Sequence, residues 1–279
     1  MPTIAPVDVD GFVVRAGFLK TCAFFASGEG DITLSGEGEK TVRPHRAGLL
    51  AAEPLTDGTG LITSGDDGCI YRCGADASVE LVAERPRKWI DLIATGPSGA
   101  LAFASGRVAW VRLGDGKEKE FGHERAVGGL AFAPKGTRLA VSRYDGATLW
   151  WAGTDGPPTE LSWKGAHLGI SFSPDGQFLV TAMQENALHG WRLSDTKDML
   201  MSGYPAKVKS FCWSYRGKYL ATSGANAAIL WPYHGKTGPM GQTPLQLGSR
   251  TDLLVSVVAC HPKEDVVAIA YQDGSISMC

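Results

Sequence analysis

The stretch Gly122–Trp151, GHERAVGGLAFAPKGTRLAVSRYDGATLWW, decides the fold. It holds three short apolar runs separated by turn residues. The first, Gly129-Leu-Ala-Phe-Ala, ends at Pro134-Lys-Gly. The second, Arg138-Leu-Ala-Val-Ser, ends at Tyr144-Asp-Gly, and the third is Ala147-Thr-Leu-Trp-Trp. Asp-Gly between apolar runs predicts a hairpin, because both residues tolerate positive φ. A more polar fourth strand, Thr159-Glu-Leu-Ser-Trp, is expected after Gly156-Pro-Pro.

The same pattern recurs along the chain. Trp110, Trp150, Trp191 and Trp231 stand 40, 41 and 40 residues apart. Gly136, Gly176 and Gly217 close equivalent turns at spacings of 40 and 41. Asp145, Asn186 and Asn226 each lie five residues before a tryptophan. Turn positions at Asp31, Asp67, Ser105, Asp145, Asn186, Asn226 and Asp273 extend the period to seven units, with one enlarged connection between Trp231 and Val255. No segment keeps a helical period, so the content is read as all-β. A four-stranded unit of about 40 residues repeated many times is the signature of a β-propeller, in which each sheet covers its neighbours.

At these residues the chain resembles the tryptophan-aspartate (WD) repeat family. The resemblance rests on Gly122-His123, Phe132-Ala-Pro-Lys-Gly, Phe172-Ser-Pro-Asp-Gly, the Asp145-Gly146 turn, and Trp150, Trp191 and Trp231. It covers nearly the whole chain and is strongest from 122 to 232. No unit ends in Trp-Asp itself, since Val111, Trp151, Arg192 and Pro232 follow the tryptophans. The expected architecture is a single β-propeller domain, 1–279, of seven four-stranded blades. The seventh unit has strands near 255–260, 266–271 and from 275, and lacks a fourth. Aligning unit one on unit three puts its first strand near 11–16 and leaves Thr3-Ile-Ala-Pro to close the ring. The natural chain is expected to continue, up to an eighth unit.

Composition bounds the function. The chain has 279 residues, with 27 Lys and Arg against 29 Asp and Glu, for a net charge of −2. That balance argues against a nucleic-acid binder held by phosphates. Hydrophobic residues at 44% are enough for a core, and 36 glycines spread along the chain demand many turns. The start, MPTIAPVDVDGF, is unlike a secretory signal, and no apolar run is long enough to span a membrane. A cytoplasmic protein is expected. The six cysteines include no C-x-x-C and read as free thiols in a reducing compartment. Cys69 and Cys73 share a strand face and read as core packing.

Chemistry is sought and not found. Gly235-Lys-Thr-Gly lacks the preceding glycine and following helix of a phosphate loop, position 230 being Leu. The six histidines form no metal motif, and no G-x-S-x-G occurs. No catalytic residue, cofactor or metal is assigned. The resemblance implies a non-enzymatic scaffold that binds another protein or peptide, with no role for nucleic acid or a membrane. The alternative is a propeller enzyme or small-ligand or metal binder with its site in the central channel.

The resemblance also supplies candidate residues. It implies a bracing tetrad of His123, Ser142, Asp145 and Trp150. It places partner contacts just before the turn anchors, at Asp66, Tyr144, Glu185, Ala225 and Gln272. Tyr144, next to Arg143, is the foremost anchor, because aromatic and Arg residues are enriched at binding hot spots. The enlarged connection, with Met240, Leu245 and Leu247, is a second candidate surface or else a longer outer strand.

Overall fold

The computed structural model describes residues 7–279, so the expected closing segment Thr3–Pro6 lies outside the described residues. The apolar runs form antiparallel strands joined by tight turns, and the chain divides into two compact units. The first spans Met1–Leu130 with Ala152–Thr154; the second spans Ala131–Trp151 with Asp155–Cys279.

The first unit contains three meandering sheets of four strands. One is β1 (Val13–Phe18), β2 (Ala23–Ser27), β3 (Ile32–Gly36) and β4 (Gly38–Val42). The next is β5 (Leu49–Pro54), β6 (Gly60–Gly65), β7 (Cys69–Gly74) and β8 (Val79–Glu84). The third is β9 (Leu92–Thr95), β10 (Leu101–Ser105), β11 (Val108–Arg112) and β12 (Glu118–Gly122). Strands in the middle of each sheet are the most apolar, and all six residues of β6 are buried. Phe24, Ile32, Leu49 and Leu61 pack the first sheet against the second. Ile62, Ile70, Ile90, Phe103 and Trp110 pack the second against the third. Burying such a side chain contributes roughly 1.5–3 kcal/mol, so each sheet draws its stability from its neighbours.

β13 (Val127–Phe132) leads into the second unit. It begins a six-stranded sheet with β14 (Arg138–Trp151), β15 (Thr159–Phe172), β16 (Phe178–Met183), β17 (Leu188–Arg192) and β18 (Asp198–Met201). Then follow β19 (Phe211–Trp213), β20 (Tyr219–Thr222), β21 (Ala228–Pro232) and β22 (Leu245–Leu247) as one sheet. The last sheet has β23 (Val255–Cys260), β24 (Val267–Tyr271) and β25 (Ile276–Met278). The enlarged connection thus carries β22, the outer strand weighed above, while Met240 and Leu245 stay exposed.

The expectation of seven blades is corrected to six sheets among the described residues. The difference arises around the fourth repeat, whose strands join those of the fifth in one six-stranded sheet. β14 takes in the second and third strands of the fourth repeat, and β15 serves both as the expected outer strand at 159–163 and as the first strand of the following repeat. Asp145 (φ 67°) and Gly146 (φ 131°) do take positive φ. They turn the chain back on itself, so that Arg143 Nε reaches Thr148 Oγ1 at 3.0 Å, and pairing with β15 shifts from Tyr144↔Ala166 to Gly146↔Ser162. A β-carbon on Gly146 would meet the Leu161 carbonyl oxygen at 2.0 Å, so the position admits glycine alone.

Candidate functional site

The turn at Asp145-Gly146 sets Tyr144 on the surface of the second unit with 46% of its area exposed. It lies in a depression of about 520 Å³ lined by Arg143, Tyr144, Asp145, Ser162, Trp163 and Lys164. Arg143 is tied down on three sides. Its Nε donates to Thr148 Oγ1 at 3.0 Å, its Nη1 to the Tyr144 carbonyl at 3.0 Å, and its Nη2 to the Glu160 carboxylate. Asp145 Oδ1 accepts from the Gly165 amide at 3.4 Å. One residue on, the Ala166 amide donates to Glu185 Oε1 at 3.1 Å, and Lys207 Nζ donates to Gln184 Oε1 at 2.6 Å. Since Ala166 is also the cross-strand partner of Tyr144, two of the predicted contact residues, Tyr144 and Glu185, come together around it.

Beneath such surfaces the sheets are braced by buried polar side chains. In the first unit the fully buried His45 accepts or donates at both ring nitrogens: Nδ1 lies 3.1 Å from Asp67 Oδ2 and Nε2 lies 3.0 Å from Thr63 Oγ1. Tyr71 meets that ring edge-on at 5.0 Å. Burial pushes the His45 pKa down, against the opposing pull of Asp67. In the second unit Tyr204 Oη lies 2.7 Å from Thr222 Oγ1 and accepts from Trp231 Nε1 at 2.5 Å. A third brace joins His167 Nδ1 to Thr181 Oγ1 at 2.7 Å and His167 Nε2 to the Trp163 carbonyl at 2.9 Å. Each brace therefore ties a ring preceding the sheet's first strand, or within it, to a threonine on the second strand, close to the third-strand aromatic.

Residues 116–151 match the family model of the WD domain, G-beta repeat. That segment is similar to a WD repeat. No curated protein matches the chain.

The periodic tryptophans sit where the period puts them, Trp110 on β11, Trp150 on β14, Trp191 on β17 and Trp231 on β21. Trp110 donates to Glu120 Oε2 at 2.9 Å and stacks on Phe103 at 5.5 Å. Of the four residues expected to brace the fourth repeat, Ser142 is buried on β14 and its Oγ donates to the Leu168 carbonyl. Asp145 is exposed at the turn, Trp150 is half-buried near the end of β14, and His123 is half-buried between β12 and β13. The His45, Thr63 and Asp67 brace was missed because Asp67 was read only as a turn residue; the signal was a histidine 18 residues before a strand-ending threonine.

The other predicted contact residues lie apart. Asp66 is half-buried between β6 and β7, where its amide donates to the Gly48 carbonyl at 3.1 Å. Gln272 is exposed between β24 and β25, beside Asp273, whose carboxylate binds the Ser275 amide at 2.9 Å. Ala225 is buried.

One surface feature is not indicated by the repeat pattern. Trp89 is 70% exposed in the segment between β8 and β9. Its backbone is anchored on either side, by Lys88 amide to Arg85 carbonyl at 3.1 Å and Ile90 amide to Gly65 carbonyl at 3.1 Å. Ile90 is fully buried, so the loop is pinned while the indole points outward. The signal was a tryptophan outside the 40-residue phase.

Proposed function

We propose that this protein is a non-enzymatic interaction scaffold and that Tyr144 anchors a partner protein or peptide on the second unit. The observation that carries the reading is the exposed Tyr144 ring on a backbone fixed by Arg143, Thr148 and Glu160. An aromatic side chain held this way loses little conformational entropy on binding, which is what distinguishes a hot spot from an ordinary surface residue. WD-repeat propellers are commonly interaction scaffolds, which supports the assignment. Glu185, Gln184 and Lys164 provide a polar rim around the aromatic centre. The net charge of −2 favours a protein surface over a nucleic acid as the partner. Among the described residues no helix is long and apolar enough to cross a membrane.

The test compares tagged wild-type protein with a Tyr144→Ala form, each purified from its own cells and analysed by mass spectrometry. A stoichiometric partner lost from the variant, with the melting temperature unchanged, supports the reading. An identical set of co-purifying proteins from both forms overturns it.

A further inference from the structure

Two cysteines that neither the fold nor the docking surface uses face each other in the second unit. Cys212 on β19 and Cys260 on β23 are 48 residues apart in sequence, and their Sγ atoms lie 2.9 Å apart. Cys260 Sγ also reaches the Cys212 carbonyl at 3.7 Å. The two strands belong to neighbouring sheets. Two residues earlier on each, Ser210 Oγ donates to the Val258 carbonyl at 3.2 Å and accepts from the Val258 amide at 3.1 Å. The constant offset of 48 residues means that the strands run side by side in the same direction, with their register pinned immediately before the thiols.

We propose that Cys212 and Cys260 are an oxidation site, a dithiol that a hydroperoxide converts to a disulfide linking β19 to β23. Three observations support it. A disulfide needs sulfurs roughly 2.05 Å apart, so the thiols need to close by only about 1 Å, within reach of side-chain rotation. Both are half-buried at the margin of a core containing Val258, Ile269 and Tyr271, which leaves a small oxidant access. Finally, the two thiols are not equivalent. The hydrogen bond from Cys212 pulls the Cys260 thiol below its ordinary pKa, while the same contact and burial push Cys212 up. Cys260 is thus the thiolate that attacks and Cys212 the thiol that resolves.

The chemistry balances without a cofactor. Cys260 Sγ attacks one peroxide oxygen, the O–O bond breaks, and the departing hydroxide takes a proton to leave as water or alcohol. The resulting sulfenic acid is attacked by Cys212 Sγ. The S–S bond forms, the S–O bond breaks, and the second oxygen leaves as water with the Cys212 proton. Each sulfur gives up one electron and the peroxide takes up two. A dithiol reductant reverses the reaction.

The test uses the full-length protein, reduced and then exposed to hydrogen peroxide. The expected result is a fall from six to four alkylatable thiols, with one peptide pair joining Cys212 to Cys260 that a reductant separates. In Cys212→Ser, oxidation should stop at a sulfenic acid on Cys260, captured by a dimedone probe. Oxidised wild-type protein in which all six thiols remain alkylatable, or in which Cys22, Cys69 or Cys279 is consumed and no Cys212-to-Cys260 peptide forms, overturns the proposal. So does dimedone capture in Cys212→Ser that bypasses Cys260. The readout involves no partner, so it stands or falls separately from the docking reading.

Discussion

His45 and Asp67 are joined by a contact of 3.1 Å although 22 residues separate them, and the same imidazole reaches Thr63 through its other nitrogen. Asp67 Oδ1 also accepts from the Cys69 amide at 2.9 Å, so one carboxylate organises the β6-to-β7 turn and fixes the ring beneath it. Asp145 holds the corresponding place in the fourth repeat, but is exposed and bonds only weakly to Gly165 at 3.4 Å.

The two aspartates should therefore differ in stability cost. Asp67→Ala leaves the buried His45 nitrogen without its partner, and we expect a loss of about 1–3 kcal/mol. Asp145→Ala should cost less than about 1 kcal/mol, as for a surface contact. Denaturant midpoints of both variants, measured side by side, check the difference.

Tyr204 bridges Thr222 and Trp231 from a site only 9% exposed. Tyr204→Phe removes the bridging oxygen and leaves the indole N–H of Trp231 without an acceptor. A destabilisation of about 1–3 kcal/mol is expected, read by chemical unfolding. Thr222→Val should cost less, because the phenol keeps its bond to the indole.

His189 is fully buried, its ring nitrogens have no hydrogen-bond partner, and Asp198 Oδ2 lies 3.7 Å from Nε2. Trp163 stacks on it at 4.2 Å. Burial, reinforced by the nearby His167, pushes its pKa down to about 4, against the weaker pull of Asp198. Between that value and the ordinary 6.5 the unfolded chain binds a proton that the folded chain refuses. Stability is therefore full above pH 6.5 and falls as the pH drops towards 4. The slope approaches about 1.4 kcal/mol per pH unit for one such group. Unfolding midpoints across this range should show a shallower acid slope in His189→Phe; an identical slope would exclude this histidine as the cause.

Gly146→Ala places a methyl group against the Leu161 carbonyl in a backbone conformation that alanine avoids. The turn must then rearrange, at a cost of about 1–3 kcal/mol. Thermal unfolding reports the loss. Gly136→Ala, at a positive-φ turn with nothing nearby, serves as a control for φ alone.

Much of this architecture was legible from local pattern. Trp110, Trp191 and Trp231 lie on the third-strand positions that their 40-residue phase indicated, and the strands at 255–260 and 267–271 follow their apolar alternation. What stayed hidden depended on distant pairing. The turn at Asp145-Gly146 was legible, but the pairing of Tyr144 with Ala166, which makes β15 one strand across two repeats, was not. The sites fared likewise. Tyr144 was identifiable from its place beside a turn, but its association with Glu185 required Ala166 to lie between them. Cys212 and Cys260 each look like an ordinary strand thiol until two sheets are set side by side.

The shared strand β15 also changes how this part of the chain can come apart. A repeat array usually melts in steps, because each unit meets the next across an interface that can open while the units stay intact. Here the first half of Thr159–Phe172, up to Ala166, pairs with β14 and the second half, from His167, pairs with β16, so one unbroken strand joins two repeats. No flexible loop separates the outer strand of the fourth repeat from the first strand of the fifth. Fraying of the one therefore pulls directly on the other, and amide exchange across Ala166-His167 should change smoothly instead of in a step.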